Sequence, residues 1–166
     1  MEPACQGRPE LCDEPSCDHG CAWNGFNENL YLDPATRTKI EETGGANVIF
    51  VTPDKTLVVP KSPSILPSIT RRSIVYIAQN ILGMKVDERE VLFDEVKKGA
   101  FAECGLCGTA AVISPVGKIF DHGTEYAFPS GMEEMGPVLK KLYDTLTGIQ
   151  MGRLEAPEGW IQVIDG

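Results

Sequence analysis

A chain of 166 residues with 42% hydrophobic content has the length and the apolar stock for one folded domain with a core of its own. Its 24 acidic residues outweigh 15 basic ones, for a net charge of -9 and a pI near 4.7, which argues against a nucleic-acid binder or an anionic-membrane adhesive, both of which grip through lysine and arginine. No apolar run approaches the roughly 20 residues that span a bilayer, the first residues carry neither part of a secretory signal, and the expected location is the cytoplasm.

Residues 1–27 differ in texture from the rest: they hold three of the twelve prolines, four of the six cysteines, no lysine and no apolar periodicity. They are expected to be irregular. Cys5, Cys12, Cys17 and Cys21 crowd this segment while Cys104 and Cys107 stand apart, which is not the spread of a disulfide framework, so free thiols are expected. Cys12, Cys17, His19 and Cys21 offer four soft ligands for zinc, but at intervals unlike paired C-x-x-C units.

From residue 28 onward regular elements are predicted. Residues 30–32 form a short strand and residues 33–36 a turn. Residues 40–51 read as two strands meeting at Gly44 and Gly45, with a simple hairpin as the plain alternative. The glycines let backbone amides approach a ligand, and Glu41 or Glu42 beside them can hold a proton or a cation. Residues 56–59 give another strand, and residues 61–67 a proline-punctuated loop.

The clearest helix start follows, with Ser68 as N-cap and Ile69, Ile74, Ile77, Ala78 and Ile81 on one apolar face before Gly83. Free amides and the helix dipole make this start an anion site, with charge added by Arg71 and Arg72. Residues 85–93 alternate like a strand, residues 94–99 suggest a short helix and residues 100–103 a strand. A turn containing Gly108 then feeds a strand at 111–113, and Gly108 with Thr109 forms a second anion cradle. Cys104 and Cys107 have redox spacing without its strand-to-helix context, so buried structural thiols are expected. Residues 116–128 form a hairpin with a solvated His122 at its turn. Residues 135–149 form an amphipathic helix through Val138, Leu139, Leu142, Leu146 and Ile149, and residues 160–164 a last short strand.

Five separated stretches carry a family likeness: Glu41-Glu42-Thr43-Gly44-Gly45-Ala46-Asn47, Leu66-Pro67-Ser68-Ile69-Thr70-Arg71-Arg72-Ser73, Gly108-Thr109-Ala110, Gly131-Met132-Glu133-Glu134-Met135-Gly136-Pro137, and Leu146-Thr147-Gly148-Ile149-Gln150-Met151-Gly152. In this order they resemble the C-terminal, larger domain of branched-chain amino-acid aminotransferases, within the fold-type IV pyridoxal-phosphate enzymes. The likeness implies an α+β fold for residues 28–166, with a curved, mostly antiparallel sheet and helices packed outside. It implies that Glu42 faces the pyridine nitrogen of pyridoxal 5'-phosphate, that the amides of Ile69 and Thr70 and the hydroxyl of Thr109 hold its phosphate, and that Gly45 and Ala110 offer amides to the substrate carboxylate. The implied reaction moves the amino group of leucine, isoleucine or valine to 2-oxoglutarate; the implied partners are these small molecules and a second subunit, with no nucleic acid and no membrane.

Here the chain departs from the pattern. The family's Schiff-base lysine sits in a Lys-x-Gly-Gly-Asn-Tyr motif upstream of residues 30–32, and residues 1–38 contain no lysine. The small N-terminal domain has no counterpart, Lys39, Lys55 and Lys61 match no catalytic position, and the cysteine pair of some animal members would fall at Ala111 and Ser114. A truncated chain carrying a cofactor half-site, with no catalytic lysine and little or no activity alone, is the expectation. Two other readings stay open: a different fold-type IV enzyme, such as a D-amino-acid transaminase or aminodeoxychorismate lyase, and a non-catalytic binding protein with a cysteine-rich front.

Overall fold

The computed structural model describes residues 26–130, 134–162 and 164. Among them the chain runs β1 (Leu30–Leu32), β2 (Lys39–Thr43), β3 (Asn47–Val51), β4 (Leu57–Pro60), α1 (Ile69–Tyr76) continued by a π-helical stretch (Ile77–Ile81), β5 (Val86–Arg89), β6 (Val91–Leu92), α2 (Phe93–Lys97), β7 (Glu103–Gly108), β8 (Val112–Val116), β9 (Lys118–Asp121), β10 (Thr124–Ala127) and α3 (Pro137–Gln150). The strands build a five-stranded sheet in the order β5-β4-β3-β7-β8, a three-stranded sheet β1-β2-β6, and the hairpin β9-β10. Every pairing is antiparallel except β4 with β5, which gives the mixed α+β architecture that the sequence implied. Among the described residues no helix is long and apolar enough to cross a membrane.

β3 is the centre of the molecule: all five of its residues are buried, four of them apolar and the first, Asn47, hydrogen-bonded through its side chain. Strand alternation sends Ile49 and Val51 to one side, against Leu57, Val59, Ile74, Ile77 and the α3 stripe of Leu139, Leu142, Leu146 and Ile149. Val48 and Phe50 point the other way, into a second core with Leu30, Ile40, Val91, Phe93, Phe101 and Phe128. Phe50 stacks on Phe101 with ring centroids 4.5 Å apart. The sheet is therefore sandwiched, with helices on one face and the small sheet and hairpin on the other.

Several expectations need correction. The stretch through Gly44 and Gly45 is a corner and not a hairpin: β2 pairs with β1 and β6, whereas β3 pairs with β4 and β7. Thr43 N donates to Ala46 O at 2.9 Å, and the chain passes there from the small sheet into the large one. Residues 85–93 are likewise two strands in two sheets, β5 beside β4 and β6 beside β2. Arg89 anchors the change of sheet, its guanidinium bound to Glu95 at 2.8 and 2.6 Å and to Asp87 at 3.0 Å. Residues 104–108, read as a turn on the strength of their glycines, belong to β7, and the strand expected at 100–103 begins only at Glu103. The next strand starts at Val112, one residue later than expected. Gly105 has no Cβ because one would lie 2.9 Å from Leu139 Cδ1, so the glycine sets how closely α3 approaches the sheet.

Helix α1 starts at Ile69 as expected, but Ile69 is 72% exposed and Ile81 is also exposed, while Ile74, Ile77 and Ala78 are buried. After Ile77 the helix widens: Leu82 N donates to Ile77 O, five residues back, which rotates position 81 off the apolar face. Residues 160–162 and 164 form no strand; Trp160 instead packs on Tyr76, centroids 5.2 Å apart, which covers the end of α1. The hairpin of β9 and β10, the exposed His122 at its turn and the buried stripe of α3 stand as expected. Cys5, Cys12, Cys17, His19 and Cys21 lie outside the described residues.

Asp33 organises the first turn. Its carboxylate accepts from the amides of Thr36 (2.7 Å), Thr38 (2.9 Å) and Lys39 (2.8 Å) and from the Thr36 hydroxyl. The Lys39 amide leads these bonds in holding the Asp33 pKa well below the usual carboxylate range. A depressed folded-state pKa means that the stabilisation is present above the unfolded pKa, near 4, and is lost as pH falls toward the folded value. Asp33→Asn is expected to lower the melting temperature at neutral pH and to flatten its decline on acidification below about pH 4; melting curves across that range check both.

Cys104 and Cys107 are free and buried, on opposite faces of β7. Burial raises both thiols, Cys107 to about 12 against a small opposing pull from the Arg71 guanidinium. Both are expected to resist iodoacetamide in the folded chain and to react on unfolding, as site-resolved mass spectrometry will show. Alkylation of either in native protein would contradict their placement.

Candidate functional site

Glu42 lies on β2 just before the corner, half-buried. Its Oε2 accepts from Asn47 Nδ2 at 3.0 Å and from the Leu66 amide at 3.1 Å. Oε1 takes no hydrogen bond from any described residue. One oxygen is thus pinned and the other is available to a donor. Asn47 opens β3 and is 5% exposed; its Nδ2 also lies 3.5 Å from Leu66 O. The neighbouring Glu41 holds the same loop from its far end, accepting from the Ser62 hydroxyl at 2.9 Å.

Leu66 stands three residues before α1. Ser68 caps that helix, its Oγ accepting from Arg71 N at 3.1 Å and its carbonyl from Arg72 N at 3.1 Å. The first-turn amides left without an acceptor among the described residues are those of Ile69 and Thr70, two of the four that geometry denies any intrahelical partner. They sit at the positive end of the helix dipole. Arg71 does not add its charge freely, because its guanidinium donates to Pro60 O at 3.1 Å. Arg72 is exposed.

The third element is the turn between β7 and β8. Asn47 pairs with Cys107 in register, which brings Gly108 against the corner: a Cβ on Gly108 would lie 3.7 Å from Ala46 Cβ and 3.8 Å from Gly45 O. Thr109 and Ala110 follow directly and are exposed, the Thr109 hydroxyl unpartnered among the described residues. Helix α1 packs on β7, the strand that leads into this turn. Glu42 is thus tied through the Leu66 amide to the loop that enters α1, and the corner at Gly45 lies against Gly108, the residue before Thr109. Neither corner glycine has a positive φ, and a Cβ at Gly44 or Gly45 would meet first the carboxylate end of the exposed Glu28, at 2.9 and 3.3 Å.

Two supporting residues escape a reading of sequence alone. Asn47 shows itself only as a polar residue opening an apolar strand. Glu103 is a charge within a buried run, 4% exposed, and its carboxylate accepts from the Val138 and Leu139 amides at 3.1 and 2.9 Å. It anchors the start of α3 to the strand whose far end carries the Thr109 turn. Lys39 is bound to Glu90 at 2.8 Å. Among the described residues no group of acidic, histidine and cysteine side chains could hold a metal.

The pattern that defines class IV amino-transferases matches residues 20–119. The branched-chain-amino-acid aminotransferase of Haemophilus influenzae is 49% identical over 155 residues, which cover 93% of this chain and 44% of that protein. The Helicobacter pylori protein of the same name is 49% identical over 137 residues, 82% of this chain and 38% of the relative. Among solved structures, the branched-chain amino acid aminotransferase of Thermobaculum terrenum in its PLP form superposes with a TM-score of 0.69 at 33% identity, covering 81% of this chain and 41% of that one. The Escherichia coli enzyme gives 0.68 at 30% identity, over 84% and 43%. The chain spans less than half the length of these relatives, and it belongs to the class IV aminotransferase family.

Proposed function

We propose that residues 28–166 are the cofactor-binding domain of a branched-chain amino-acid aminotransferase. Glu42, Ile69, Thr70 and Thr109 are its contacts to pyridoxal 5'-phosphate, and Gly45 and Ala110 face the substrate carboxylate. The observation that carries this reading is the paired donor and acceptor set: a carboxylate with one oxygen fixed and one open, three residues' reach from two unpartnered helix-start amides. An anionic phosphate suits the amides and the Thr109 hydroxyl, and a protonated pyridine nitrogen suits the open oxygen, so the residues present fit the group.

When bound, pyridoxal phosphate supplies the electron sink through which an amino group leaves an amino acid and joins a 2-oxo acid. Glu42 keeps a proton at the ring nitrogen. The amides at 69 and 70 and the Thr109 hydroxyl fix the opposite end, and the Gly45 and Ala110 amides orient a carboxylate. These residues make one half of the site. The amine that must hold the cofactor's aldehyde and move a proton is not among them.

With added pyridoxal phosphate, the purified chain is expected to turn over leucine and 2-oxoglutarate poorly or not at all. Joined to the complementary N-terminal portion of the Haemophilus influenzae relative, it is expected to transaminate leucine, isoleucine and valine and to leave D-alanine untouched. Appreciable turnover by the chain alone would sink the half-site, and preference for D-alanine the substrate assignment.

A further inference from the structure

We infer that Asn47 is a positioning residue, whose side-chain amide fixes the Glu42 carboxylate and ties it to the loop entering α1, so that both ends of a phosphorylated pyridine are gripped as one unit. This rests on the cofactor site proposed above and adds to it the part that sets its length.

The geometry is a closed ring of three groups. Asn47 Nδ2 donates to Glu42 Oε2 at 3.0 Å, the Leu66 amide donates to the same oxygen at 3.1 Å, and Asn47 Nδ2 lies 3.5 Å from the Leu66 carbonyl. Without Asn47, Oε2 would retain only the Leu66 amide, and that amide belongs to an exposed residue: Leu66 is 70% exposed. Asn47 is the buried member. It opens the central strand in register with Cys107, and its backbone is held by β7. A rigid strand thereby controls where the carboxylate points, and through Leu66 it also controls a loop whose third residue on is Ile69. Leucine or alanine at 47 would satisfy the strand equally well. The amide is needed only if the direction of Glu42 matters, because a carboxylate free to rotate shares its proton partner with water.

The test is a double-substitution cycle on the full chain, with 4'-deoxypyridoxine 5'-phosphate as probe. This compound has the ring nitrogen and the phosphate and no aldehyde, so no lysine can capture it. Affinity is measured by equilibrium dialysis for the unsubstituted chain, Asn47→Leu, Glu42→Gln and the pair, with the pyridinium fraction of bound probe read from its ultraviolet band at one mildly alkaline pH. Asn47→Leu is expected to weaken binding about tenfold and to lower the pyridinium fraction. On the Glu42→Gln background the same substitution should change affinity by less than about twofold. Should Asn47→Leu fail to fold, as melting will show, the isosteric Asn47→Asp carries the same expectation, since its carboxylate repels Glu42 and has little to repel once Glu42→Gln has removed that charge. An equal loss on both backgrounds, or an unchanged pyridinium fraction, overturns the positioning role and leaves the site intact. Failure of the unsubstituted chain to bind the probe overturns the site and this inference with it.

Discussion

Ile69→Pro is expected to leave the domain folded and to weaken its hold on the cofactor phosphate by about 10- to 100-fold, the worth of one hydrogen bond to a charged group. Proline is tolerated at the first helical position, where its fixed φ suits the helix and its missing N–H has no intrahelical partner to lose. The residue before it must be extended, and Ser68 already is, at φ -102 and ψ 130. The side chain removed is 72% exposed, so little burial goes with it. Ile69→Ala is the control that discards the side chain and keeps the amide. Dialysis of pyridoxal phosphate against both variants separates the two: loss with proline and none with alanine is the expected pattern. Binding that is unaffected by proline would mean that the phosphate rests elsewhere.

Gly136→Ala is expected to destabilise the domain by about 3 kcal/mol, for a reason unrelated to backbone freedom. Gly136 has φ -58 and ψ 152, a conformation open to any residue. Its Cβ, however, would fall on the Glu103 side chain, whose carboxylate is committed to the amides of Val138 and Leu139. The carboxylate must move, and two helix-start amides then lose their partner in a buried place. Glu103→Ala reaches the same end from the other side, at roughly 2–4 kcal/mol. Glu103→Gln, which can still accept one of the two bonds, should fall between it and the unsubstituted chain. In a domain of this size each kcal/mol lowers the melting temperature by about 2–4 °C, so thermal denaturation resolves all three. An unchanged melting temperature for Gly136→Ala would contradict the packing at the start of α3.

Local signals gave the elements whose cause is local. Ser68 after Pro67 marks the start of α1 because a cap is a matter of neighbouring residues, and the stripe from Leu139 to Ile149 marks α3 because a helix face repeats every turn. The misread places depend on partners distant in sequence. Residues 85–93 alternate throughout, and nothing in the alternation says that β5 joins one sheet and β6 another; that follows from which edges β4 and β2 leave open. Gly105 looks like a turn residue until α3 is seen to need the room. The widened turn after Ile77 has no sequence marker at all. At the site, Glu42, the helix start and Thr109 were each legible as chemistry and linked by family likeness, whereas their supports, Asn47 and Glu103, come into view only with the hydrogen bonds drawn.

A crystal structure of the chain soaked with pyridoxal 5'-phosphate tests the cofactor site most directly. The predicted density places the ring nitrogen about 3 Å from Glu42 Oε1 and the phosphate at similar distance from the Ile69 and Thr70 amides and the Thr109 hydroxyl. A ring nitrogen turned away from Glu42, or a phosphate bound at any other helix or lysine cluster, would contradict it.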